Sequence, residues 1–392
     1  MDARDHMTFG FPRMHTEAGE RRDFLPSLMG KLTRLGVEVF VESGIGSGMG
    51  FEDADYASVS PRVQIVDHDA ALAQDIVVVL RAPDDDLSKM RSGSTLISML
   101  HYSTRPSRVQ RLRDLGLRAI SLDAIVDDRG FRLVEDARAV AWNGLKVAFD
   151  VLEESYPQLV DRHRPPIEVT VMGAGSIGKH AVEAATKYGD LARDARYRRL
   201  GLPGVQVVTI GRNLTPDSRH MQQRMRTSDV LVDATKRHDA SHPVVPNAWI
   251  ALLPMHAVIC DLVVDPYDES RDRRTVRGIE GIPQGNLDRY ILPPADPAWH
   301  ETVPAGVPTR QRRTVVSCYS WPGIHPRPGM EAYEMQLWPL LEVLVERGGV
   351  QGLRPDGSYH ERALCRATLP GGEQEIPVPR DASGERTSLL TG

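Results

Sequence analysis

Cysteine is scarce in this chain. There are three, Cys260, Cys318 and Cys365, far apart and without a C-x-x-C pair. That pattern excludes a disulfide-stapled scaffold and suits free thiols in a reducing, cytoplasmic setting. H-E-x-x-H and paired Cys/His spacings are missing, so no metal site is expected. G-x-S-x-G is missing as well, which argues against a serine hydrolase. No apolar run approaches the roughly 18 residues of a membrane span. The first two dozen residues are charged and lack an apolar h-region, so neither a membrane partner nor a cleaved secretion signal is expected. Charge of one sign is also lacking. The formal net charge is −5, and the arginines are scattered among acids, so no basic stripe marks a nucleic-acid surface.

What is present is an ordinary globular composition, 41% hydrophobic and 26% charged over 392 residues. At roughly 100–200 residues per domain, two domains are expected. Helical and strand patterns alternate, which argues for an α/β fold with mostly parallel sheets. "LPSLMGKLTRLG" reads as a helix ending at Gly36, "VEVFVES" as a strand, and "GIGSGMG" as a glycine-rich loop. "DIVVVLRAP", "STLISML" and "LRAISLDAIV" read as strands, with "PSRVQRLRDLG" an amphipathic helix before the last. "ARAVAWNGLKVAFDVLEESY" and "MEAYEMQLWPLLEVLVERGG" are the strongest helix patterns. The tail after about Gly348, rich in Gly, Pro and charge, reads as loosely packed.

The motif with the clearest chemistry is Gly173-x-Gly175-Ser176-Ile177-Gly178, a G-x-G-x-x-G directly after the apolar strand "IEVTVM" and before a helical pattern. In a dinucleotide-binding unit the first glycine makes the tight turn and the second lets the backbone approach a pyrophosphate. The third lets helix and strand pack closely, and the helix N-terminus attracts the phosphates. The acid expected about 20 residues further on, on the adenosine ribose, is not in place. "DLARDARYRRLGLPG" intervenes, read as an extended helix end plus loop, and the next strand, "VQVVTI", ends in Gly211-Arg212-Asn213. An arginine there can pair with a 2′-phosphate that an acid would repel. The residues therefore lean to NADP(H) over NAD(H). The alternative is that Arg212 is a solvated loop residue and another acid, such as Asp217, reaches the ribose.

The block before that motif resembles a known family. "EAGERRDFLP" resembles the opening "E-x-R-V-A-L-T-P" of the alanine dehydrogenase and pyridine nucleotide transhydrogenase N-terminal domain. "GVEVFVESGIGSGMGFEDADY" is similar to that family's glycine-rich segment, and "DIVVVLRAPDDDLSKMRSGSTLISMLHYS" to its "K-V-K-E-P … L-H" segment. "RAISLDAIVDDRGFRLVEDARAVAWNG" is similar to the related saccharopine dehydrogenases. The resemblance continues through "GAGSIGKHA", "SDVLVDAT" and "AVICDLVVDPYD", covering most of residues 17–345.

The resemblance implies two Rossmann-like domains separated by a cleft and joined by the long helices. Residues 1–145 with 322–392 would form the substrate domain and residues 146–321 the dinucleotide domain. It implies a substrate-carboxylate grip at Arg21, five residues before the proline, and at Arg81, where the family carries lysine. Arginine holds its charge, so Arg81 can grip a carboxylate but hardly act as a base. It further implies a catalytic His101 just past a strand end, Asp123 orienting it, and Asp265 on the cofactor side. The activity implied is hydride transfer at the CH–NH group of an amino acid, alanine-dehydrogenase-like, by a homo-oligomer. An opine- or saccharopine-type enzyme joining an amino acid to a keto acid stays open, as does a non-catalytic nucleotide-binding protein.

Overall fold

A computed structural model describes residues 7–14, 19–102, 105–237, 241–265, 267 and 276–369. The first two residues of "EAGERRDFLP", most of the loop beyond Asp265 and the tail from 370 lie outside the described residues. The chain divides into two compact units, Met1–Asp136 with His325–Gly392, and Ala137–Ile324.

The first unit begins with β1 (Thr8–Phe11), α1 (Pro26–Arg34), β2 (Glu38–Glu42), α2 (Asp53–Ala57) and β3 (Val63–Val66). It continues with α3 (His68–Leu72), β4 (Ile76–Arg81), β5 (Thr95–Met99), α4 (Pro106–Asp114) and β6 (Arg118–Ser121). The sheet order is β3-β2-β1-β4-β5-β6, and every neighbouring pair is parallel. Such sheets are covered on both faces, so their strands read as continuous apolar runs. "IVVVL" in β4 is fully buried for that reason. β1 was not expected as a strand. It is four residues long, yet Phe9 and Phe11 are wholly buried and it pairs on both sides.

The second unit opens with α5 (Ala137–Ser155), β7 (Ile167–Met172), α6 (Ser176–Ala185), α7 (Leu191–Arg199), β8 (Val205–Ile210) and α8 (Ser218–Met225). β9 (Val230–Asp233), β10 (Val258–Asp261), β11 (Ile291–Leu292), α9 (Ala298–Glu301) and β12 (Thr314–Ser317) follow. Its sheet runs β11-β12-β10-β9-β7-β8, parallel except for the β11–β12 pair. The stretch "DLARDARYRR" is a separate helix, not a continuation of α6. Gly189 at φ 69° breaks the chain, and the Asp190 side chain accepts from the Ala192 and Arg193 amides to cap α7. A Cβ at Gly189 would lie 2.5 Å from the Lys146 backbone, so only glycine allows that close approach.

The chain returns to the first unit with α10 (Pro326–Glu346) and α11 (Tyr359–Ala367). The described part of the tail is therefore packed, contrary to its composition. A Ser358/Glu361 capping box starts α11, and Ala363, Leu364 and Ala367 share one face and enter the core. No helix among the described residues is long and apolar enough to cross a membrane.

The short central strand yields a direct test. A Cβ at Gly10 would sit 1.9 Å from the Ala71 carbonyl oxygen. Gly10→Ala should therefore destabilise the first unit by about 1–3 kcal/mol or more, the usual range for overpacking. A thermal melt reads this, and an unchanged melting temperature would contradict the packing described.

Candidate functional site

All strands of the first sheet point the same way, so the candidate side chains that follow them gather along one edge, beyond the strand C-termini. Arg81 is the last residue of β4 and is half-buried. His101 follows β5 by two residues and Asp123 follows β6 by two. Asp123 Oδ1 accepts from the His101 amide (3.1 Å) and from Ser121 Oγ (2.6 Å). Its Oδ2 lies 3.3 Å from His101 Nδ1. Ser121 Oγ in turn accepts from the Leu100 amide at 3.1 Å. Burial pushes the Asp123 carboxyl up, but the bond and charge of His101, with Ser121, outweigh it and hold the group well below the usual carboxylate range. His101 has φ 51°, one of three non-glycine residues in the left-handed region among the described residues. Such strain persists only where the surroundings enforce it, and here the enforcing group is Asp123. The imidazole remains 46% exposed, so the ring is fixed yet presented outward.

Arg21 is exposed. It packs against the glycine-rich loop, where a Cβ at Gly48 would come within 2.7 Å of Arg21 Cβ. The buried neighbour is Arg22, whose Nε and Nη2 donate to the two Glu20 oxygens at 2.9 and 2.6 Å. These side chains are 2% and 0% exposed. Burial raises the Glu20 carboxyl, and the bonds and charge of Arg22, with a contribution from Arg81, bring it below its ordinary value. Glu20, Arg22 and Arg81 thus act on one another. The signal for Arg22 was present in the motif: E-x-R, read forward from its acid rather than back from its proline, lands on Glu20 and Arg22.

In the second unit the three motif glycines have three different surroundings. Gly173, at φ 101°, would place a Cβ 2.3 Å from the Ala234 carbonyl oxygen. Gly178 would place one 2.1 Å from the Gly173 oxygen. Gly175 has nothing within 4 Å. It precedes α6, whose first residues are Ser176 and Ile177. Two glycines are therefore needed for internal packing, and the middle one faces open space at a helix N-terminus, as an incoming diphosphate requires. β8 pairs with β7 in the register Met172↔Ile210, and the Gly173 amide donates to the Ile210 oxygen at 2.9 Å. Gly211, Arg212 and Asn213 follow beside the glycine turn, the last two exposed. Asp217, the alternative ribose acid, caps α8 by accepting from the His220 amide at 3.0 Å.

Asp265 lies in this unit, paired with the Arg237 guanidinium. Arg237 also donates to the Val276 oxygen at 2.6 Å. Beneath them is a buried network that the motifs did not single out. The Arg277–Asp261 pair is 1% and 3% exposed. Asp261 also accepts from Ser317 Oγ (3.0 Å) and from the Val263 and Val264 amides (3.1 and 2.9 Å). Asp233, buried beside it, is pushed up to about 7 by burial and by the charge of Asp261. Burial and the neighbouring carboxylate thus favour a proton on Asp233. Together they anchor both flanks of the segment carrying Asp265.

Residues 12–136 match the family model for the alanine dehydrogenase/PNT N-terminal domain. That span of the chain is similar to the superfamily's N-terminal domain. The alanine dehydrogenase of Bacillus subtilis (strain 168) is 25% identical over 274 residues, 66% of this chain and 71% of that one. The NAD(P) transhydrogenase subunit alpha of Haemophilus influenzae is 25% identical over 195 residues, 48% of this chain and 38% of that one. A solved L-alanine dehydrogenase superposes with a TM-score of 0.66 at 20% identity, covering 92% of this chain and 94% of that one. A transhydrogenase from Sinorhizobium meliloti gives 0.56 at 17%, covering 92% and 96%. At such identities the structural likeness establishes the fold. Within the superfamily's N-terminal domain, Glu20, Arg22, Arg81, His101 and Asp123 all fall inside the matched span.

The Asp123 geometry has a pH signature. The folded state depresses this carboxyl, so its stabilisation is fully present above the unfolded value of about 4, begins to fade below it and is lost as pH falls through the lower folded value. Asp123→Asn is expected to cost about 1–3 kcal/mol at neutral pH and progressively less below about pH 4. Urea unfolding at both pH values checks this. An equal loss at each would mean that the charge on Asp123 is not what holds His101.

Proposed function

We propose that the protein is a cytoplasmic, homo-oligomeric NAD(P)-dependent oxidoreductase acting on the CH–NH group of an amino acid. Oxidative deamination and its reverse, reductive amination of a keto acid, are the two directions of the reaction. The single observation that carries this reading is His101, oriented by an ionised Asp123 at the strand edge of a domain matched to this superfamily. The glycine turn of the second unit supports it. Gly173, Gly175, Ser176, Ile177 and Gly178 would hold the diphosphate, and Gly211, Arg212 and Asn213 the adenosine ribose. When bound, the nicotinamide supplies the hydride acceptor or donor.

The chain's own residues supply grip and proton transfer. Arg81 would hold the substrate carboxylate with a charge that does not titrate near neutrality. Arg21 and Arg22 add positive charge to the same edge, with Arg22 kept in place by Glu20. Asp123 engages the Nδ1 side of His101, so proton exchange with substrate or water would run through Nε2. Asp265, charge-balanced by Arg237, would take part in proton transfer. NADP(H) is favoured over NAD(H) because Arg212 follows the strand beside the turn while Asp217 is occupied as a cap.

Arg81 also favours a second reading. A fixed cation in place of the family lysine suits a second carboxylate, as in an opine- or saccharopine-type enzyme. Product analysis with and without a primary-amine co-substrate separates the two.

The test begins with separate titrations of NADPH and NADH, followed by a screen of amino and keto acids for nicotinamide absorbance change. NADPH is expected to bind more tightly, and Arg212→Asp to reverse the preference by about tenfold or more, the worth of one charge-assisted contact. His101→Ala should lower kcat by about 10²–10⁴-fold without loss of nucleotide binding. Binding of neither nucleotide would contradict the reading, and full turnover in His101→Ala would favour a non-catalytic role for that residue.

A further inference from the structure

Arg108, near the start of α4, belongs to no motif. Its side chain is only 13% exposed. Nε donates to Asp84 Oδ1 at 2.6 Å, and Nη2 pairs with the second oxygen of the same carboxylate. Nη1 donates elsewhere, to the Leu100 carbonyl oxygen at 3.0 Å.

That carbonyl is one end of a peptide unit whose other end is the His101 amide. The amide donates to Asp123 Oδ1 at 3.1 Å. A trans peptide is a rigid plane, so this one is held at both ends, by a guanidinium from α4 and by a carboxylate that follows β6. The peptide before it is fixed as well, because the Leu100 amide donates to Ser121 Oγ at 3.1 Å. His101 has φ 51°, a rotation about the bond that joins the held plane to its Cα. Relief of that strain requires the plane to turn, and turning it breaks both bonds together. With Asp123 alone the plane could pivot about a single anchor. Arg108 is the second anchor.

Asp84 decides where Arg108 stands. It lies three residues beyond Arg81, in the segment after β4, and Arg81 pairs in register with Met99 of β5. The flat fork of a guanidinium can hold a carboxylate and a carbonyl at once in fixed geometry, which an ammonium group does not do.

The geometry points to Arg108 as a positioning residue for His101, holding the peptide plane before it so that the imidazole stays against Asp123. The inference rests on the dehydrogenase reading for the use made of His101; the positioning itself needs no substrate.

Arg108→Ala and Arg108→Lys test it, since both replacements are good helix formers and leave α4 intact. The ring signals of His101 are followed by NMR in protein labelled with 15N-histidine, and assigned by their loss in His101→Ala. In Arg108→Ala these signals should move, while NADPH affinity stays the same. With pyruvate or 2-oxoglutarate, ammonium and NADPH, kcat should fall about ten- to hundred-fold, as for a misplaced catalytic group. Arg108→Lys keeps the charge without the fork and should recover only part of the loss. Full recovery would overturn the inference, because charge alone would then suffice. Unmoved His101 signals in Arg108→Ala would also overturn it, whatever the melting temperature does, and would show the strap to be structural. If Arg108→Ala fails to fold, Asp84→Asn takes its place: it loosens the anchor of Arg108 and should move the same signals, and unmoved signals there overturn the inference equally. If wild type turns over neither acid, the dehydrogenase reading loses its support, and the His101 signals still decide the role of Arg108.

Discussion

The carboxylate of Asp123 is the constraint on which the strand edge carrying His101 depends. A largely buried carboxylate is costly unless its charge is met by donors. Here Ser121 and both the amide and ring of His101 meet it. Those donors are brought together by the sheet itself. β5 and β6 run parallel in the register Ser98↔Ser121, which sets the residues after one strand beside those after the other. Meeting the carboxylate carries His101 into a backbone conformation few side chains adopt. Sheet register, buried charge and backbone strain therefore form one chain of cause, and its end product is a histidine with a fixed ring.

The second unit reaches a comparable result with glycine and with neutralised charge. Gly173 and Gly178 are needed by the protein's own packing, since any Cβ there would meet a carbonyl oxygen. Gly175, lying between them, has open space instead. Further along the same sheet edge, Asp233 and Asp261 cannot both ionise cheaply in so dry a place. Arg277 pairs with Asp261, and Asp233 is pushed up to about 7. The result is a rigid base for the segment bearing Asp265.

Much of this was legible in the sequence. The parallel α/β class, the glycine turn, the strand ending at Ile210 and the segments leading to Arg81 and His101 could all be read from apolar runs and their punctuation. The losses have physical reasons. β1 is four residues long and follows a charged stretch, so it offers no periodicity, although the fold makes it a central strand. α7 was merged with the helix before it because the break depends on one positive-φ glycine and one aspartate cap. α11 was hidden by the polarity of its surroundings. Its three core residues, Ala363, Leu364 and Ala367, are too few to stand out in a Gly- and Pro-rich tail. The burial of Arg22 on Glu20 beside an exposed Arg21 is not legible, because a linear motif does not carry burial. Arg277, sixteen residues beyond Asp261, lies in no motif.

The central claim is hydride transfer between a pyridine nucleotide and the α-carbon of an amino acid. The most direct measurement uses NADPH and NADH deuterated at C4, each incubated with the protein, ammonium and a panel of α-keto acids, with the products weighed by mass spectrometry. The account predicts one deuterium at the α-carbon of the amino acid formed, delivered from only one of the two C4 faces. Nucleotide that binds but passes no label to any acid would contradict it.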